Sequence, residues 1–192
     1  MSSVTVKRET KETKIELTMD LGKALSPVLN SGIPFFDHML NAMAFHGGFY
    51  LEVKATGDLE VDDHHLVEDL GLVLGDAFRQ AREKNPSIHR YGHSIIPMDE
   101  ALSEVVIDAC NRPYWVIQAE FPQTHAGKFD LALVREFLIA LTNRGGINLH
   151  AHCRYGTNSH HMVESLFKAL GRALSMAHAP KAGVIPSTKG VL

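Results

Sequence analysis

The stretch "HHLVEDLGLVLG" begins at His64 and "HHMVESLFKALG" begins at His160; they share both histidines, a Val, a Glu, two Leu and a closing Gly. On an α-helix successive side chains point about 100° apart, whereas positions i, i+3 and i+4 share a face. Glu68 can therefore join His64 or His65, and the remaining histidine looks elsewhere. Glu164 stands in the same relation to His160 and His161. Such a helix offers a ligand pair to one metal ion and a single ligand to another. Two such helices predict a two-metal site with pseudo-twofold symmetry. Imidazole and carboxylate without thiolate favour Mn, Fe, Co, Ni or Zn over Ca or Mg. Six or more N/O ligands over two ions favour octahedral Mn or Fe over tetrahedral Zn.

The repeat extends further back. When His38 in "FFDHML" is set against Glu136, Leu40 meets Leu138, Ala42 meets Ala140, Gly47-Gly48 meets Gly145-Gly146 and Leu51 meets Leu149. His38 and Glu136 differ in type, but both can bind a metal, so each half is expected to supply a third ligand. Arg90 in "HRYG", Arg112 in "NRPYW" and Ser187, Thr188 and Lys189 in "IPSTKG" are residue types that bind phosphate. Each is also an ordinary surface or turn residue. The chain has no Walker or dinucleotide-type glycine loop, so neither ATP nor NAD is implied. Glu12 in "RETKETKIEL" opens a polar strand, and by pattern alone it is an exposed edge charge.

The elements that must position these groups follow from periodicity. Residues 63–82 read as a helix with Asp62 or Asp63 as cap, a stripe of Val67, Leu70, Leu74, Ala77, Phe78 and Ala81, and Lys84–Pro86 as its stop. Residues 159–177 read alike, with Ser159 as cap and Val163, Leu166, Phe167, Leu170 and Leu174 as stripe. Two further helices end at Gly47-Gly48 and Gly145-Gly146, the first with Pro34 in its opening turn. Extended segments are expected at 13–19, 49–55, 104–109, 115–121 and 146–153. Each half thus reads strand, helix, Gly-Gly, strand, His-His helix. This predicts an internally duplicated α+β protein, with halves at 1–93 and 94–192 joined near 92–97 and helices over one face of each sheet.

Composition bounds the rest. The 192 residues carry 12 histidines, a formal charge of -3, 45% apolar and 21% charged residues. That is an ordinary globular balance with no polyanion-binding signal, so nucleic acid is not an expected partner. Two cysteines make no disulfide framework. Residues 1–14 lack an apolar signal-peptide core, and no run suits a bilayer, so a cytoplasmic protein without membrane contact is expected.

Taken together, "RETKET", "SGIPFFDHML", "DDHHLVEDLGLVLG", "RYG…PMDEAL", "NRPY", "NLHAHCRYGTNSHHMVESLFKALGRAL" and "PSTKG" resemble the imidazoleglycerol-phosphate dehydratase family, from Arg8 to Gly190. The resemblance implies a monofunctional lyase of histidine biosynthesis. It also implies a duplicated fold of the ribosomal S5 domain 2 type, each half a four-stranded sheet with helices on one face. Members form 24-subunit shells built from trimers, with two Mn²⁺ in each inter-subunit site. The implied metal ligands are His38, His64, His65, Glu68, His160, His161 and Glu164, with Glu136 where some members carry His. The implied phosphate ligands are Arg90, Arg112, Ser187 and Lys189, and the implied catalytic acid/base is Glu12. Ala42 stands where some members carry a substrate-contacting Gln.

That chemistry explains the need for metals. The hydrogen to be lost sits on carbon with no adjacent carbonyl, so the imidazole ring must act as electron sink. A cation on a ring nitrogen favours the imidazolate, loss of hydroxide gives a diazafulvene-like species, and a second cation can receive the departing oxygen. On this reading Glu164 is both ligand and ring-nitrogen base, Glu68 is ligand only, and Glu12 moves the carbon-bound proton. Two rivals use the same histidines. A two-metal phosphoester hydrolase would need no ring-nitrogen ligand. A metal-storage protein would give Arg90, Arg112 and the "PSTKG" tail no role.

Overall fold

The computed structural model describes residues 3–182. The first half contains β1 (Val4–Glu9), β2 (Thr13–Asp20), β3 (Val28–Asn30), α1 (Pro34–Gly47), β4 (Tyr50–Gly57) and α2 (His64–Lys84). The second contains β5 (Tyr91–Met98), β6 (Ala101–Asp108), β7 (Tyr114–Gln118), β8 (His125–Ala126), β9 (Phe129–Asp130), α3 (Leu133–Gly145), β10 (Asn148–Tyr155) and α4 (Ser159–His178). The sheets run β1-β2-β4-β3 and β5-β6-β10-β7, with β8-β9 a separate short hairpin. The fold is the duplicated α+β arrangement expected from the sequence. Even the register repeats: β2 meets β4 through Asp20 and Tyr50, and β6 meets β10 through Asp108 and Asn148.

The strands alternate in burial, as sheets with one covered face must. Ile15, Leu17 and Met19 of β2 point inward, and Val105 and Ile107 of β6 do the same. Helices of opposite halves meet over these faces, α1 against α4 and α2 against α3. One hydrophobic core therefore spans both halves. Phe137 of α3 sits edge-on to Phe36 of α1 at 5.1 Å and stacks on Phe167 of α4 at 5.5 Å.

The shared glycine of the two His-His helices has a packing role. A Cβ on Gly75 of α2 would lie 2.6 Å from the Leu141 carbonyl oxygen of α3, and one on Gly171 of α4 would overlap the Met43 carbonyl oxygen of α1. Leu141 and Met43 are themselves equivalent in the repeat. The duplicated Gly thus lets each His-His helix press against a helix of the other half, and this contact holds the two halves together.

Several sequence expectations need correction. Ser159 does not cap α4. Asn158 does, its side-chain oxygen accepting from the His160 N–H at 2.9 Å. Ser159 opens the helix and is buried, its hydroxyl accepting from the Gln123 N–H. At α2 it is Asp62 that accepts from the His64 N–H. The stretch 92–97, read as the link between halves, lies inside β5, so the divide at 93/94 falls within that strand. Gly92 and Pro97 suggested a turn, but Gly92 is there because Ala173 of α4 packs where its Cβ would be. The sequence pattern does not predict β1, β3, β5 or the β8–β9 hairpin. β1 alternates buried and exposed residues, with Thr5, Lys7 and Glu9 on its outer face.

Candidate active site

α1 and α4 bring His38, His160 and Glu164 together across the two halves. One ligand atom of each lies within 4.8 Å of the others, close enough that the three could hold a metal ion. Glu164 Oε2 is 3.2 Å from His160 Nε2 and 3.3 Å from His38 Nε2. Its other oxygen, Oε1, accepts from the Lys168 ammonium at 2.8 Å, one turn further along α4. Burial opposes ionisation of Glu164, yet Lys168 and His38 outweigh it and hold the carboxyl below its usual range. Glu164 is therefore a carboxylate at neutral pH, ready to ligate.

The first half repeats the arrangement more loosely. His64 Nε2 lies 3.4 Å from Glu68 Oε2, and Glu136 of α3 lines the same cleft as His64. Among the described residues, only His38, His160 and Glu164 come close enough together to hold a metal ion, so Glu136 shares a cleft with His64 without forming an equally tight cluster. The i, i+4 contacts are His64 with Glu68 and His160 with Glu164.

The second histidine of each pair faces away. The rings of His64 and His65 lie at 83° to each other, and those of His160 and His161 at 85°. His65 Nδ1 meets Asp58 Oδ2 at 3.0 Å, with Glu12 Oε2 at 4.0 Å. His161 Nδ1 meets Glu100 Oε2 at 2.8 Å. Hydrogen bonding to Asp58 raises the His65 pKa, and hydrogen bonding to Glu100 raises that of His161. Glu12 is thus placed beside a metal-competent histidine, although its sequence pattern suggested only an edge charge.

The phosphate candidates lie elsewhere. Arg90 precedes β5 and Glu100 follows it, so about 25 Å of strand separates that arginine from His161 at 3.3 Å per residue. Arg90 forks onto Asp108, at 2.7 Å from Nε and 3.1 Å from an NH₂ group. Its φ is +73°, in the left-handed region that an Arg seldom adopts. Arg112 is exposed at the same end of the sheet, its backbone carbonyl accepting from the Asn148 side chain. Ser187, Thr188 and Lys189 lie outside the described residues. Ala42 is buried in α1.

Sequence reasoning missed Asp58, Asp69, Glu100 and Lys168. Asp69 is buried and structural. It accepts from the Thr13 hydroxyl at 2.5 Å and pairs with Arg8 at 2.8 Å, fastening α2 to the β1–β2 hairpin. The "ED" step after His-His was its only trace in the sequence.

The family profile described as imidazoleglycerol-phosphate dehydratase matches residues 31–174, which include α1, both His-His motifs and all three residues of the His38–His160–Glu164 cluster. The chain belongs to the imidazoleglycerol-phosphate dehydratase family. The family's relatives cover it from end to end. The imidazoleglycerol-phosphate dehydratase of Gluconobacter oxydans is 52% identical over 96% of this chain and 95% of its own. That of Pelobacter propionicus is 46% identical over 99% and 98%. The crystal structure of the Staphylococcus aureus enzyme superposes with a TM-score of 0.85 at 33% identity, covering 94% of this chain and all of that one. The Pyrococcus furiosus structure, in complex with (S)-C348, gives 0.85 at 37% identity over 97% and all of that chain. The chain is accordingly an enzyme of the hydro-lyase class, the activity its relatives' name describes. No helix among the described residues is long and apolar enough to cross a membrane.

Proposed function

We propose that this chain removes water from imidazole glycerol phosphate to give imidazole acetol phosphate, as a cytoplasmic step of histidine biosynthesis, with two Mn²⁺ ions per site and with sites shared between copies in a 24-subunit shell. The observation that carries the reading is the His38–His160–Glu164 cluster, a ligand set drawn from both halves of a chain in this family.

The residues fit the metals. His38, His160 and Glu164 would hold one ion, and His64, Glu68 and Glu136 would contribute to another. The donors are imidazoles and carboxylates with no thiolate, a set that suits Mn²⁺. His65 and His161 point away from these clusters, as ligands offered to a neighbouring copy would. The distance of Arg90 and Arg112 from His161 within one chain supports the same reading, because it exceeds the length of an extended three-carbon phosphate bearing an imidazole ring. When bound, the ions supply Lewis-acid stabilisation of the negative charge that develops on the imidazole ring.

The chain's own residues do the rest. Glu164, ionised and one bond from Lys168, accepts the ring N–H proton. Glu12 takes the proton from carbon, Glu164 returns its proton to the ring nitrogen, and the departing hydroxide becomes water with the proton that the enol O–H gives up. The resulting enol becomes the ketone when Glu12 returns a proton to the neighbouring carbon. Arg90, pre-set by its fork onto Asp108, holds the phosphate with Arg112, Ser187 and Lys189, and that remote binding energy fixes the reacting end.

The test is product identity. Manganese-loaded protein incubated with imidazole glycerol phosphate should produce a ketone absorbance with no inorganic phosphate. Release of phosphate without ketone would replace the dehydratase reading with a hydrolase.

A further inference from the structure

The two halves hold their outward histidines by different means. Glu12 immediately precedes β2 and Glu100 immediately precedes β6, so the two occupy the same place in equivalent hairpins. The hairpins are equivalent by register, since each second strand pairs in the same way with the strand that follows the half's first helix. Yet Glu100 grips His161 at 2.8 Å, whereas Glu12 stays 4.0 Å from His65 with its side chain exposed. In the first half Asp58, the residue after β4, takes the grip instead, at 3.0 Å. Its own N–H donates to the Glu12 carbonyl at 3.1 Å, which fixes it beside the hairpin. In the second half the chain leaves β10 as Gly156-Thr157-Asn158, with no carboxylate. There the N–H groups of Thr157 and Asn158 donate to Glu100 Oε1 at 3.1 and 2.7 Å, and Glu100 fills the gap.

A carboxylate can only accept, so each contact makes histidine Nδ1 the donor and leaves Nε2 with the lone pair a metal needs. We propose that Asp58 and Glu100 are positioning residues that orient His65 and His161 as Nε2 ligands, and that Asp58, by taking the task its repeat mate lacks, leaves Glu12 free for substrate. The histidine-orienting role rests on the two-ion reading above, and the freeing of Glu12 rests on its role as acid/base.

The experiment is calorimetric Mn²⁺ titration of metal-stripped protein, with thermal unfolding of the same samples. Asp58→Ala should weaken binding roughly 10- to 100-fold, as loss of a carboxylate behind a ligating histidine does. Asp58→Asn, which keeps an acceptor for Nδ1–H, should restore most of that. Glu100→Gln should likewise bind more tightly than Glu100→Ala. The stripped Asp58→Ala protein should unfold with the wild type, because Asp58 supports a ligand and not the core. Unchanged Mn²⁺ affinity in Asp58→Ala, or equal loss in Asp58→Asn, would overturn the orienting role. For the freed Glu12, Asp58→Gly should lower kcat at saturating Mn²⁺ with little change in KM, as the hairpin carboxylate falls onto His65. An unchanged kcat would overturn that part. The affinity readout needs no substrate, so it stands or falls separately from the dehydration assay.

Discussion

His38 Nε2 lies 3.3 Å from Glu164 Oε2, although 126 residues separate the two. The contact joins the halves of the repeat and depends on how closely α1 approaches α4. That approach is set by Gly171 against the Met43 carbonyl oxygen. The geometry of the His38–His160–Glu164 cluster and the packing between the halves are therefore one feature of the structure.

Gly171→Ala tests that coupling. The added methyl has nowhere to go but into backbone, so α1 and α4 must part. Overpacking of this kind costs about 1–3 kcal/mol. Thermal unfolding should show that loss, and calorimetry on the stripped protein should show weaker Mn²⁺ binding. Destabilisation with unchanged metal affinity would separate the two properties.

Glu164 carries the largest expected effect on turnover. Glu164→Gln keeps the shape but removes both the negative charge and the base. Steady-state kinetics should show kcat falling by at least about a hundredfold, the scale of one positioned acid/base group, with much of the substrate binding kept. Unchanged turnover would rule out the assigned role. Glu68→Gln should lower metal affinity too, but it removes no base.

His178 predicts an acid limb of stability away from the metal ligands. It is fully buried between Phe78, at 4.9 Å, and its own helix, where Nδ1–H donates to the Leu174 carbonyl at 2.9 Å. Burial lowers its pKa from 6.5 to about 4, with the nearby Arg82 charge acting in the same direction. The unfolded chain binds this proton more readily than the folded one. The contribution is thus intact above pH 6.5 and is lost progressively as pH falls toward about 4. The gap corresponds to about 3 kcal/mol. Denaturant unfolding at pH 7.5 and pH 5 should give a smaller pH dependence for His178→Gln than for wild type. Equal slopes would assign the acid limb to other groups.

The His-His helices were legible because their apolar stripes follow a 3.6-residue period and their polar residues repeat at fixed offsets. Val163, Leu166, Phe167, Leu170 and Leu174 are all buried as that period requires. Helical geometry also foretold that the paired histidines diverge. Asp58, Glu100 and Lys168 carried no such signal. Two of them act from loops that meet the histidines only once the sheets form, and Lys168 was one charge on a mixed helix face. β5 was hidden because Gly92 and Pro97 look like a turn, whereas Gly92 answers to α4 packing. Arg90 and Arg112 could be picked out by type, but their place at the far end of a sheet depends on strand register, which residue type does not encode.

The most direct test is to titrate metal-stripped protein with Mn²⁺ while counting bound ions per chain and following conversion of imidazole glycerol phosphate. Two ions per chain should bind, with ketone formation appearing as the second is filled and no phosphate released. Glu136→Gln should lose most of one ion and most of the turnover. Full turnover in metal-free protein, or with a single ion bound per chain, would contradict the claim that the duplicated His-His-x-x-Glu helices build a two-metal dehydratase.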